Sequence, residues 1–219
     1  MLKIGHRGAK GHRLENTLSS FQKALELGVD GIELDVHLSS DGVVVVLHDA
    51  TVDRTTTQQG PVKDFTAAQL QLLGIPSLEQ VLAMIPASVF VNIEIKAIEA
   101  TLPVLALIEK QMTDRAVTYK HFHISSFDWE VLRILKKRNP NILLGVLTED
   151  DLGKALTFAE HIDAHSINPY FQLLTVEQVT LIHQKGFKVY TWTVNSPEDI
   201  TFVRNLNVDG SISDFPDRL

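Results

Sequence analysis

Short apolar runs alternate with amphipathic stretches along nearly the whole chain. The strand-like runs fall near residues 2–6, 30–38, 89–95, 119–125, 142–147, 164–168, 187–193 and 208–213. Helical patterns lie between them, near 15–27, 77–85, 99–113, 127–138, 150–160, 175–184 and 197–205. Chemical punctuation marks several boundaries. Ser77 stands three residues before Gln80, the spacing of a capping box. Gly28 and Gly186 sit just past helices, where a left-handed cap suits glycine. Pro197 follows Ser196, and proline is favoured at the first helical position. Strict βα alternation demands a parallel sheet covered by helices. Eight strands predict a TIM-type (β/α)₈ barrel, with a doubly wound open sheet as the alternative. The 219 residues are few for a fold of typically ~250. No eighth helix is visible after Asp214.

The segment 39–75 breaks this rhythm. Ser39-Ser40-Asp41-Gly42 reads as a turn, since Asp-Gly supplies positive φ at low cost. Val43–Leu47 then reads as a short returning strand that ends in His48-Asp49. Residues 50–75 are polar and Thr-rich, with one weak helix at Ala67–Leu72. They predict a small insertion after the second strand, lying over the barrel mouth. Residues 1–219 are therefore expected to form a single domain.

Polar residues stand where the apolar runs end or break. His6-Arg7 closes the first strand, Glu33-Leu34-Asp35 interrupts the second, and Glu94-Ile95-Lys96 ends a third. Side chains alternate faces along a strand, so Glu33 and Asp35 share one face, as do Glu94 and Lys96. Carboxylates aimed into a sheet interior are too costly to keep without a cation. A divalent metal held by Glu33, Asp35 and Glu94 answers that need, as do ion pairs to Arg7 and Lys96. Hard oxygen donors suit Mg²⁺ or Ca²⁺. Active sites of barrels form at the C-terminal ends of strands, where these groups lie.

Composition excludes several classes. Net charge is −7, and no basic stripe appears, which argues against a nucleic-acid partner. Lys136-Lys137-Arg138 ends a helix, where cations complement the dipole. Cysteine is absent, so disulfides and thiolate metal sites are ruled out. No apolar stretch approaches the ~20 residues of a membrane span. MLKIGHRGAK runs straight into a motif, so the expectation is a cytoplasmic protein without a signal peptide. The oligomeric state stays open.

The motifs HRGAKGHRLENT (6–17), ELDVHLSSDGVVVVLHDATVDRTT (33–56), NIEIK (92–96), SSF (125–127), YTWTVN (190–195) and DGSISDFP (209–216) together resemble the glycerophosphodiester phosphodiesterase family nearly end to end. The order of the motifs makes the likeness more specific than any one of them. Two departures stand out: Leu14 where family members often carry proline, and Gly5 where alanine is commoner. The first puts the course of the loop before Glu15 in question.

The resemblance implies a (β/α)₈ barrel that cleaves glycerophosphodiesters, small-molecule substrates, with a divalent cation. It implies metal ligation by Glu33, Asp35 and Glu94, and acid–base roles for His6 and His48. Histidine titrates near neutrality, so one can accept a proton while the other donates. Arg7 and Lys96 would bind phosphate, Arg as a planar fork and Lys as a point charge. Glu15 and Asn16 belong to the pattern as well, in support of the metal site or as caps of the first helix. Trp192 would wall the glycerol carbons, with Phe127 a weaker candidate, and Asp214 would close the barrel. Three carboxylates, two side-chain cations and a divalent ion sum to +1, which a phosphodiester monoanion neutralises.

Among the remaining histidines, His12, His121, His161, His165 and His183 read as structural or surface residues. His37 shares the face of Glu33 and Asp35, and His123 stays unassigned. The rival readings are a related barrel phosphodiesterase acting on lysophospholipids or phosphoinositides, and a non-catalytic phosphodiester-binding protein. The polar insertion disfavours the first, and the full set of candidate ligands and histidines disfavours the second.

Overall fold

A computed structural model describes residues 1–115 and 117–219. The strands are β1 (Leu2–Gly5), β2 (Gly31–Leu38), β3 (Val44–Val46), β4 (Phe90–Ile95), β5 (Phe122–Ser126), β6 (Leu143–Thr148), β7 (Ser166–Pro169), β8 (Lys188–Thr191) and β9 (Gly210–Ser213). Eight of them pair in parallel, and β1 joins both β2 and β9, which closes the sheet into a barrel. The open-sheet alternative is thereby excluded. The short strand β3 pairs antiparallel on the outer edge of β2.

Helices α1 (Leu18–Glu26), α2 (Ala67–Leu72), α3 (Leu78–Met84), α4 (Thr101–Asp114), α5 (Trp129–Arg138), α6 (Leu152–Ile162), α7 (Val176–Gln184) and α8 (Pro197–Asn205) fill the connections. After β9 only a 3₁₀ turn, Pro216–Arg218, follows. The caps read from sequence form: Ser77 and Gln80 make a reciprocal capping box, and Ser196 caps α8 ahead of Pro197. Gly28 and Gly186 take φ of 70° and 88°.

Two boundaries differ from expectation. Helix α1 starts at Leu18 rather than near residue 15, because Asn16 is left-handed (φ 57°) and Thr17 provides the cap to Ser20 N. Glu15 and Asn16 are thus loop residues, not helix caps. The strand expected from 119 begins at Phe122, since Tyr119–His121 is a 3₁₀ turn.

The main core lies between the barrel and its helices. Ile32, Leu34 and Val36 of β2 and Ile93 and Ile95 of β4 point outward into it, all at most 1 % exposed. Each such side chain contributes about 1.5–3 kcal/mol on burial. A second cluster, Val45, Leu47, Val52, Val62, Leu70 and Ile75, anchors the segment after β2. Inside the barrel the apolar filling is sparse: Ile4, Tyr190 and Ile212, with Leu2, Phe90 and Trp192 against them. Much of the remaining interior is polar, and that polar face opens at the C-terminal ends of the strands.

Candidate active site

The β2–β4 register sets Asp35 opposite Glu94 and Glu33 opposite Asn92. Outward apolar residues lock that register, because a slip by one residue would bury every carboxylate in the outer core. One oxygen from each of Glu33, Asp35 and Glu94 lies within 4.8 Å of the others. Burial, reinforced by Asp35 and Glu94, pushes the Glu33 carboxyl well above its ordinary value. Burial and Asp35 likewise push Glu94 up to about 7. Three converging hard oxygens that repel one another in this way fit a divalent cation.

The expected ion pairs are present beside the triad. Lys96 Nζ lies 2.7 Å from Glu94 Oε1 and 3.9 Å from Asp35 Oδ1. Arg7 Nε stands 3.3 Å from Asp35 Oδ2, and the Arg7 backbone N–H donates to Glu33 Oε2 at 2.8 Å. Burial disfavours both cations, but the surrounding carboxylates outweigh it and raise their pKa values. They remain charged, and neither is consumed by a single partner.

The loop after β1 supports this arrangement. Asn16 donates from Nδ2 to Asp35 Oδ2 at 2.9 Å and so orients that carboxylate. Glu15 accepts from Arg7 Nη1 at 2.7 Å and from Arg54 Nη2 at 2.6 Å. Burial opposes its charge, yet the bonds from Arg54 and Arg7 hold its carboxyl down at about 2. Glu15 therefore grips Arg7 rather than joining the carboxylate triad.

The two histidines are each fixed through Nδ1. His6 Nδ1 bonds Asp214 Oδ1 at 2.6 Å, while its Nε2 accepts from Arg7 Nε at 3.2 Å and lies 4.0 Å from Glu33. Burial lowers the His6 pKa despite the pull of Asp214, which favours the neutral ring, and the Nε2 lone pair faces Arg7 Nε. His48 Nδ1 bonds Asp49 Oδ1 at 2.7 Å, and its Nε2 lies 3.4 Å from Lys96 Nζ. Asp49 is itself held by Arg54 Nε at 2.7 Å, a contact that lowers its pKa. A chain of charged contacts thus runs from Arg7 through Glu15, Arg54 and Asp49 to His48. His37 donates to the His48 carbonyl at 3.1 Å and forms no hydrogen bond or ion pair with the carboxylates among the described residues.

These side chains enclose a cleft of about 450 Å³ counted to its open mouth. One wall is polar, with His6, Arg7, Glu33, His48, Glu94 and Lys96. The apolar part of the lining is Phe127, Leu147, Trp192 and Ile212. Trp192 and Phe127 meet edge to face at 5.6 Å, and Trp192 Nε1 donates to the Asn168 carbonyl at 2.9 Å. The carboxylates, cations and histidines singled out from sequence, with Glu15, Asn16, Trp192, Phe127 and Asp214, therefore all lie at this mouth or in its supporting contacts. Sequence reasoning gives no role to Asp49, Arg54 or Asn195, and reads Asp214 only as a closing residue. The Asp214 carboxylate also accepts from Asn195 Nδ2 at 2.9 Å. Adjacency to His48 and membership of the VDRTT stretch were the available signals for Asp49 and Arg54.

Relatives of known identity share this architecture. The chain is 38 % identical to a glycerophosphodiester phosphodiesterase of Caldanaerobacter subterraneus subsp. tengcongensis, covering all of this chain and 96 % of the relative. It is 35 % identical to one of Bacillus altitudinis, with the same coverage. A crystal structure of a glycerophosphodiester phosphodiesterase from Thermotoga maritima superposes with a TM-score of 0.87 at 31 % identity, over 99 % of this chain and 96 % of that one. An Oleispira antarctica phosphodiesterase, solved with its product sn-glycerol-3-phosphate, superposes with a TM-score of 0.89 at 27 % identity, over 98 % and 93 %. The sequence model of the Glycerophosphoryl diester phosphodiesterase family matches residues 6–218. The chain belongs to that family of hydrolases, on a TIM-barrel fold.

Proposed function

We propose that this protein hydrolyses glycerophosphodiesters to sn-glycerol 3-phosphate and an alcohol, in a reaction that requires Mg²⁺ or Ca²⁺ and two histidines. The observation that carries the reading is the pairing of two Asp-anchored imidazoles with a carboxylate triad and two cations in one cleft. The product named for the Oleispira antarctica relative matches the reaction. Residues 1–219 act, on this reading, as one barrel domain with residues 50–75 inserted at its mouth.

Glu33, Asp35 and Glu94 would hold the cation, which supplies polarisation of a phosphate oxygen and orientation of the nucleophile. Arg7 and Lys96 bind the remaining phosphate oxygens and stabilise charge that grows there during transfer. His6, whose neutral form burial favours, accepts the proton of the attacking hydroxyl through Nε2 in place of its contact with Arg7 Nε. His48, paired with Asp49, returns a proton to the departing alkoxide. One P–O bond to the alcohol breaks as one to the nucleophile forms. Two nucleophiles fit: water, or the glycerol 2-hydroxyl in a first ring-closing step. Trp192 and Phe127 offer an apolar wall to the glycerol carbons.

Product analysis with glycerophosphoethanolamine tests the reading. The expected products are glycerol 3-phosphate and free ethanolamine. Release of phosphoethanolamine and glycerol would place cleavage on the wrong side of phosphorus and contradict it.

A further inference from the structure

One layer below Asp35 and Glu94, and level with Glu33, the barrel interior holds a polar chain that the reaction above does not use. Asn92 of β4 points inward one layer below Glu94, two residues or about 6.6 Å back along the strand. It lines the cleft although it is only 2 % exposed. Its Oδ1 lies 2.8 Å from Nδ1 of His123, which the β4–β5 register places directly opposite. Burial, helped by the nearby His165, lowers the His123 pKa to about 3, so the ring is neutral in all ordinary conditions. A neutral ring facing a carbonyl oxygen must carry its proton on Nδ1 and accept at Nε2. Ser166 Oγ sits 3.0 Å from that Nε2 and completes the pairing.

Beyond Ser166 lies the fully buried Asn168 amide, with an oxygen 2.5 Å from Ser166 Oγ and a nitrogen that has no partner among the described residues. A half turn of that amide lets its nitrogen donate to Ser166, and every donor then points the same way. Asn168 donates to Ser166, Ser166 to His123, and His123 to Asn92. The Asn92 amide nitrogen ends the chain. It makes no hydrogen bond among the described residues, and Asn92 lines the cleft beside Glu33. Gly145 keeps this interior open, since a Cβ there would come within 2.5 Å of His123 Cε1.

We infer that Asn92 is a specificity-determining residue, whose amide N–H donates to the terminal hydroxyl of the substrate's glycerol. The inference rests on the proposed reaction. Phosphate oxygens held at the rim by Arg7 and Lys96 leave the glycerol to descend along the apolar wall, and its far hydroxyl meets Asn92. A buried donor held rigid by its neighbours rejects an analogue that lacks the hydroxyl, because the donor is then left unpaired.

The experiment compares glycerophosphocholine with 2-hydroxypropyl phosphocholine, which lacks only that hydroxyl. Wild-type kcat/KM should favour the parent by roughly 10- to 100-fold. Asn92→Ala should narrow the ratio toward one. His123→Phe, which frees the amide to turn, should narrow it part way. An equal fall on both substrates would mark Asn92 as merely structural and overturn the inference. A measurement on wild type alone guards against variants that fail to fold. Glycerol 3-phosphate should inhibit about 10-fold more strongly than propane-1,2-diol 1-phosphate, and equal inhibition overturns the inference. Hydrolysis of neither substrate by folded wild type would instead overturn the reaction itself, and the inference with it.

Discussion

His6 and His48 occupy the same kind of place, a strand end at the barrel mouth, but their surroundings differ. His6 is sealed against Arg7, Glu33 and Asp214, whereas His48 stands about a third exposed beside Lys96. Replacing either by Ala should lower turnover by about 10²-fold or more; wild-type turnover in both variants would refute the acid–base assignment. The partners of each ring matter almost as much. Arg54→Ala removes the contact that holds both Asp49 and Glu15, and should lower kcat by roughly 10-fold through misplacement of His48. Steady-state kinetics with an unchanged kcat would show that the contact is only a surface ion pair. The histidines and carboxylates were legible because a charged group at the end of an apolar strand is conspicuous. Arg54 and Asp214 were not, because their meaning lies in contacts to residues 39 and 208 positions away. Their places in the VDRTT and DGSISDFP stretches mark them locally, but not the contacts they make.

The turn between β1 and α1 is conformationally strained. Arg7 and Asn16 adopt φ of 49° and 57°, which non-glycine residues rarely do. Gly8 between them has φ 86°, and a Cβ there would lie 2.7 Å from the Ser20 carbonyl carbon. Gly8→Ala should therefore cost more than about 1 kcal/mol of stability in urea unfolding. A midpoint equal to wild type would show that the turn is not constrained in this way. Capping signals for α3 and α8 are local and were readable in sequence. The start of α1 was not, because Asn16 gives up helical geometry for its bond to Asp35, a tertiary contact. The same competition explains why two residues that look like helix caps serve the site instead.

Over the molecule, the barrel closes by β1–β9 pairing with no helix after β9, so alternation in the sequence was enough to give the fold and its open end. No helix among the described residues is long and apolar enough to cross a membrane. The polar barrel interior was the part that periodicity could not reveal, since His123, Ser166 and Asn168 acquire their roles only from strand order. The cost of the site appears in its charge. Glu33 and Glu94 hold protons to higher pH in the folded protein than the ordinary carboxylate at 4.5. Their contribution to stability is full below that value and is lost as pH rises, through about 7 for Glu94. A cation among the carboxylates would offset the loss. The rise in Tm on adding Mg²⁺ or Ca²⁺ should then be larger at about pH 8 than at about pH 5, and equal rises would contradict the balance.

The central claim joins these levels: the triad, the two cations and the two histidines form one metal-requiring phosphodiesterase site. Its most direct test is release of sn-glycerol 3-phosphate from glycerophosphocholine by EDTA-treated protein, before and after Mg²⁺ or Ca²⁺ is restored. The account predicts no release in EDTA and recovery with at least one ion. Full release in EDTA, or none with either ion from a folded sample, would contradict it.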